Sequence, residues 1–162
     1  MPDAFYRFLT QWRLAGRCEQ VADILEDVDA LPQWWRSVYR SARVIERGGE
    51  HGIGRVVEVA TKGFLPYTLH WTYRVTQVDY PHSSTIVAAG DLEGEGHWQF
   101  VQDGDHVNFT YEWAVRANHP LIRRLHRLLA PLFAANHNWT MNDGLRGLRR
   151  QLQMAHPGAS SK

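Results

Sequence analysis

Between Tyr6 and Leu14 apolar and polar residues alternate. Tyr6, Phe8, Thr10, Trp12 and Leu14 fall on one side, and Arg7, Leu9, Gln11 and Arg13 on the other. A period of two sends successive side chains to opposite faces of a strand. Gly16 ends the pattern, and from Cys18 the spacing changes. Val21, Ile24, Leu25 and Val28 recur every three or four residues with Asp and Glu between them, which predicts a short amphipathic helix. Pro32 disfavours helical geometry at Leu31, so a separate helical turn is expected in Leu31-Pro32-Gln33-Trp34-Trp35.

Six further segments read as strands: Val38–Arg47 before Gly48-Gly49, Gly54–Lys62 before Gly63, Tyr67–Val78 before the Asp79–Ser83 cluster, Thr85–Leu92, His97–Gln102, and His106–Arg116 after an Asp103-Gly104-Asp105 hairpin turn. Connections this short require antiparallel neighbours. From Asn118 the period is helical again. Pro120 suits a first helical turn with Asn118 or His119 as the cap. Ile122, Leu125, Leu129, Leu132, Phe133, Met141, Leu145, Leu148 and Leu152 then recur at helical spacing. Pro131 is expected to kink or split this run. The piece after it, Leu132 to Met154, would be roughly 35 Å long at about 1.5 Å per residue. One face of a curved sheet has to be covered, and the last helix is the only element large enough to do it. The expected architecture is therefore α+β, a curved antiparallel sheet of about seven strands around a long C-terminal helix. Residues 1–155 form one domain in this reading, and 156–162 a flexible polar tail.

Strand alternation also sorts the candidate interior. Tyr67, Leu69, Trp71, Tyr73 and Val75 share one face, and Thr68, His70, Thr72, Arg74 and Thr76 the other. Val107, Phe109, Tyr111, Trp113 and Val115 oppose His106, Asn108, Thr110, Glu112 and Arg116, while Trp98 and Phe100 alternate with His97 and Gln99. The aromatic faces are expected to point at the helix, because one face of such a sheet packs and the other meets water. The rings then either fill a core or line a pocket with a few polar handles. The opposite register would put His70, Arg74, Asp91, Asn108 and Glu112 inside. On the long helix, Asn136, His137 and Thr140 interrupt the apolar stripe, and His137, Met141, Gly144 and Leu148 share a face. His137 reads either as a boundary histidine bonded to a backbone carbonyl, or as a polar handle or proton donor near neutral pH. Gly144 and Gly147 each cost about 1 kcal/mol in a helix interior relative to Ala. That cost points to close packing, with the sheet as the expected partner.

Composition narrows the function classes. Charged residues are 22% and apolar ones 44%, a globular balance, and the net charge of +1 gives no general case for nucleic acid. The charge is uneven: residues 118–155 hold six Arg and one Asp. That basic helix is either a solvated face or a contact for an anionic surface. A single cysteine, Cys18, excludes an internal disulfide and a CxxC site. The nine histidines show no HxxxH or HExxH spacing, so neither metal nor other cofactor is expected. GIGR at 52–55 and GEG at 94–96 are too short for a nucleotide fingerprint and are expected to serve bulges or tight turns. MPDAFYRFLT has no signal-peptide pattern and no run approaches membrane-span length. A cytoplasmic protein without stable membrane insertion is the expectation. The oligomeric state stays open.

Several local patterns carry a family resemblance: LPQWW after the first helix, the strand sequences GFLPYTLHW, DLEGEGHWQF and VNFTYEW, and NHNWTMNDGLRGL in the last helix. On these, over about residues 4–152, the chain resembles the START-like (SRPBCC) superfamily of Bet v 1-like and bacterial polyketide cyclase-like proteins. None of these patterns is a catalytic signature. The resemblance implies a helix-grip fold with a cavity between sheet and helix. It makes Tyr67, Trp71, Tyr73, Trp98, Phe100, Tyr111, Trp113, Phe133, His137 and Met141 the candidate ligand-binding residues. The function expected first is binding of an apolar small molecule, aromatic and polyketide-like or lipid-like. The second is a polyketide cyclase or dehydratase, whose acid/base group would come from His137, Tyr73 or Tyr111. The third is a membrane-surface or protein-interaction module built on the basic helix.

Overall fold

The computed structural model of the chain describes residues 5–62 and 67–155. Seven strands form one antiparallel sheet: β1 Phe5–Ala15, β2 Tyr39–Glu46, β3 Val56–Thr61, β4 Leu69–Asp79, β5 Ser83–Gly90, β6 Leu92–Asp103 and β7 His106–Ala117. The spatial order is β1-β7-β6-β5-β4-β3-β2. Strands β2 to β7 thus follow as a meander, and β1 closes onto β7 in continuous register from Phe5 opposite Arg116 to Ala15 opposite His106. Between β1 and β2 lie helix α1 (Cys18–Glu26), a 3₁₀ turn (Val28–Ala30) and helix α2 (Leu31–Trp34). Helix α3, Pro120–Ala155, closes the fold. The helix-grip arrangement expected from the order of elements is the one formed.

Alternation decides what faces α3. In β7 every odd residue from Val107 to Ala117 is buried. In β4, Trp71 and Val75 are buried while His70 and Arg74 are exposed. A register shift between Val75 and Gln77 then inserts one extra residue in β4, so Val78 resumes on the inner side. The main core joins the inner faces of the strands to Val21, Val28, Leu31, Trp34 and Trp35 from the α1–α2 segment, and to Met141, Leu148 and Leu152 from α3. A smaller cluster of Ala117, Ile122 and Phe133 holds the start of α3 to the end of β7.

Three expectations need correction. Pro131 does not split the last helix, which runs unbroken through it for 36 residues. Pro131 and Arg127, whose carbonyl loses its partner, are both exposed, so solvent can take that bond. The GEG segment is not a turn. It pairs in unbroken register inside β6, which is longer than the apolar pattern of 97–102 suggested. The close packing at Gly144 and Gly147 is against α2, not the sheet. A Cβ at Gly144 would lie 2.5 Å from Trp35 ring carbons, and one at Gly147 2.5 Å from the Trp34 carbonyl oxygen. GIGR, by contrast, is a tight turn, with Gly52 and Gly54 both at φ 78°. Gly63, the side chain of Leu129 and the 156–162 tail lie outside the described residues.

Candidate functional site

The inner face of the sheet is a floor of rings. Trp98 stacks on Tyr111 at 3.8 Å between centroids, Tyr111 lies 5.9 Å from Trp113, and Trp113 lies 5.6 Å from Trp71. Small residues make this row possible. Gly96 pairs with Trp113 across the β6–β7 ladder, and a Cβ there would come within 2.9 Å of the Trp113 ring and 3.0 Å of the Tyr111 hydroxyl. Above the floor stands Trp35. Its Nε1 donates to the Thr140 carbonyl on α3 at 3.0 Å, and its ring meets Tyr39 edge-on at 5.3 Å. Trp35, Tyr39, Trp98 and Tyr111 line cavities on both sides, so they act as a partition between two lobes.

Lobe one has a volume of ≈ 120 Å³ and lies under α1 and the β4–β5 turn. Its interior is Val28, Leu31, Tyr73, Ile86 and Phe100 beside the partition. Its rim is polar: Glu26, His51, Arg55 and Tyr80. Arg55 is held by two backbone carbonyls, Nε donating to Arg47 at 3.1 Å and Nη1 to Glu26 at 2.9 Å. His51 stacks flat on Tyr80 at 3.7 Å, and the Tyr80 hydroxyl donates to Asp23 at 2.7 Å. His51 also adopts φ 50°, a left-handed conformation uncommon for a non-glycine residue, and its Nδ1 lies 3.5 Å from the Glu26 carboxylate. Burial raises the Tyr73 hydroxyl well above its ordinary range, with Tyr39 adding to the rise and the Arg55 charge opposing it. Burial pushes Tyr39 up to about 12 and raises Tyr111 as well. All three phenols therefore keep their protons at neutral pH and can only offer neutral hydrogen bonds.

Lobe two, of ≈ 160 Å³, lies under the first half of α3. Tyr6, Phe8, Trp71, Trp113 and Phe133 supply its apolar wall, and Asn136, His137 and Thr140 its polar groups. The His137 ring stacks on Phe8 at 4.0 Å, with Nε2 3.4 Å from the Thr10 hydroxyl. Desolvation pulls its pKa down to about 4, which favours the neutral imidazole near pH 7. The Trp71 indole donates to Thr61 Oγ1 at 2.9 Å. The buried Tyr6 hydroxyl finds no hydrogen-bond partner among the described residues. A group of this kind costs free energy until something pairs with it.

The ten residues singled out in the sequence all line this space. Tyr67, Trp71, Trp113, Phe133, His137 and Met141 fall in lobe two, Tyr73 and Phe100 in lobe one, and Trp98 and Tyr111 in both. The alternative polar set does not. His70, Arg74, Asn108 and Glu112 are exposed on the outer face, and the Asp91 carboxylate accepts the His70 backbone N–H at the β5–β6 connection. Sequence reasoning missed Tyr6, Trp35, Tyr39 and Arg55. A signal existed for Arg55, which has the same parity as the inward Val57, Val59 and Thr61 of β3, where a charge is out of place. Trp35 had none beyond its position in LPQWW.

The profile of the family described as "Polyketide cyclase / dehydrase and lipid transport" matches residues 11–153. No curated protein matches the chain. Solved structures show the same fold at low identity. A protein from Thermus thermophilus superposes with a TM-score of 0.79 at 16% identity, covering 93% of this chain and 99% of that one. A START superfamily protein from Mycobacterium smegmatis gives 0.70 at 14%, covering 92% and 98%. The Zhui aromatase/cyclase from a Streptomyces species gives 0.69 at 14%, covering 95% and 98%.

Proposed function

The chain belongs to the polyketide cyclase/dehydrase and lipid transport family, and from that premise we propose that it binds an apolar, ring-containing small molecule between its sheet and the helices that cover it. The observation that carries this reading is the partition of Trp35, Tyr39, Trp98 and Tyr111, with an aromatic lobe on each side. A cavity of about 150 Å³ lined by apolar side chains admits one benzene-sized ring. Each lobe matches one such ring, so a ligand of two or three linked rings fits the pair. The Tyr6 hydroxyl and the neutral His137 in lobe two, and the tyrosines and Arg55 in lobe one, would orient its oxygen atoms. Titration with aromatic polyketides, sterols and fatty acids, read by tryptophan fluorescence and native mass spectrometry, tests this. Saturable one-to-one binding of a polycyclic aromatic compound is expected. Failure of every apolar compound to bind would remove the reading.

A second reading, cyclase or dehydratase chemistry, is favoured by one feature of lobe one. The Arg55 guanidinium and the Tyr73 hydroxyl line the same lobe, and the guanidinium charge opposes the rise that burial imposes on the hydroxyl. Such a pair can hydrogen-bond a substrate carbonyl and stabilise negative charge developing on it. Under this reading, Tyr73→Phe and Arg55→Leu abolish turnover of a poly-β-ketone intermediate while ligand binding persists. His137→Ala, on the far side of the partition, tests whether lobe two takes part. Product profiles unchanged in all three variants would leave binding as the function.

A further inference from the structure

The first half of α3 carries two apolar faces. One, made by Ile122 and Phe133, is buried and walls lobe two. The other is open to solvent: Leu121, Leu125, Leu128 and Leu132 are 48%, 38%, 76% and 45% exposed. Their spacing of four, three and four residues sets them in one stripe along the helix. Arg123, Arg124 and Arg127 lie exposed in the same stretch; Arg124 borders the stripe, Arg127 lies further round on the same side, and Arg123 falls on the opposite face. From Trp113 to Asn142 the sequence contains no Asp or Glu. Leucines lost to water in a row are costly unless something covers them, and this row is bordered by charge of one sign.

We propose that this face docks on the surface of an anionic lipid bilayer, with the four leucines at the headgroup–acyl boundary and Arg124 and Arg127 reaching the lipid phosphates. Charge complementarity selects this occupant. A second copy laid against the stripe would add the same positive charge, with no carboxylate in either segment to offset it. An anionic bilayer supplies the missing charge and an apolar layer beneath it. The described residues contain no helix long and apolar enough to cross a membrane, and a four-leucine stripe on a basic helix suits a position in the plane of the interface. The same helical segment walls lobe two, so docking would bring that wall to the bilayer, where apolar molecules are concentrated. The docking itself does not depend on which molecule the cavity holds.

Co-sedimentation of the full chain with vesicles tests this directly. Partitioning is expected onto vesicles containing phosphatidylglycerol at low salt, and about tenfold weaker binding to phosphatidylcholine alone or at high salt. Leu125→Asp with Leu128→Asp, and separately Arg124→Glu with Arg127→Glu, should each lower partitioning by about tenfold or more. Thermal midpoints should be unchanged, since all four side chains are exposed. No partitioning onto anionic vesicles at low salt overturns the proposal. So does partitioning that the leucine variant retains, which would mean charge alone is read. A dimer in solution that the leucine variant dissociates would assign the stripe to a second copy instead. Ligand titration of the same variants separates this outcome from that of the cavity reading.

Discussion

His137 is a half-buried imidazole stacked on Phe8 with one weak hydroxyl contact, and that environment gives it a measurable signature. Its folded pKa is depressed from 6.5 to about 4 by desolvation. Between those values the unfolded chain takes up a proton that the folded chain refuses. The stability contributed by the neutral form is complete above pH 6.5 and is lost as the pH falls toward about 4, by an amount on the order of 2–3 kcal/mol. His137→Phe, which keeps a ring against Phe8, should remove that component. Urea unfolding near neutrality and again at about pH 4.5 should show the variant gaining on the parent by that amount. Equal losses in both proteins would mean the imidazole is not desolvated. The position of His137 on the inner stripe was legible from its spacing to Met141, Gly144 and Leu148. Its neutrality was not, because desolvation comes from Phe8 and its surroundings on β1, more than a hundred residues away in the chain.

At the scale of elements, the contact that shapes the site is α2 against α3. Gly144 and Gly147 give up side chains so that Trp35 and Trp34 can approach the helix. Periodicity showed that two glycines interrupt a helix, and their cost implied a close neighbour. It could not say which, since a helical stripe reveals the face that is covered and not what covers it. Alternation placed the strands and their inward faces well, because seven antiparallel strands with one buried face obey it almost everywhere. It failed at β6, where Gly94 and Gly96 hide the strand pattern by leaving room for β7, Gly94 for the backbone of Ala114 and Val115 and Gly96 for the Trp113 ring. Gly144→Ala would gain about 1 kcal/mol from helix propensity. Here it should instead destabilise by about 1–3 kcal/mol, since its Cβ would sit inside contact distance of the Trp35 ring. Trp35→Phe in the same chain should recover part of that loss, giving a coupling above about 0.5 kcal/mol. Gly147→Ala should show no such rescue, because its nearest obstacle is the Trp34 backbone carbonyl. Denaturant midpoints of the single and double variants decide the matter, and strict additivity at Gly144 would place the pressure elsewhere.

For the whole molecule, the order strand, helix pair, six strands, long helix determined the grip, and it could be read without coordinates. The division of the interior could not, because it arises only when Trp35, carried by α2, crosses to meet Trp98 and Tyr111 of the sheet. The two lobes give the binding reading a geometry that one filled core would lack. Ala22 lines lobe one and Leu92 lines lobe two, and both are only partly buried. Ala22→Phe and Leu92→Trp should therefore each fill a single lobe while the fold persists. A ligand that spans the partition should lose about tenfold or more in affinity, about 1.4 kcal/mol, in both variants. A single-ring ligand should lose it in one variant only, and that variant identifies its lobe. If both proteins keep their thermal midpoints and bind the spanning ligand as the parent does, the ligand does not occupy this interior. The rings of the sheet would then be core, and the exposed leucine stripe of α3 would become the leading candidate for what the molecule presents to its partners.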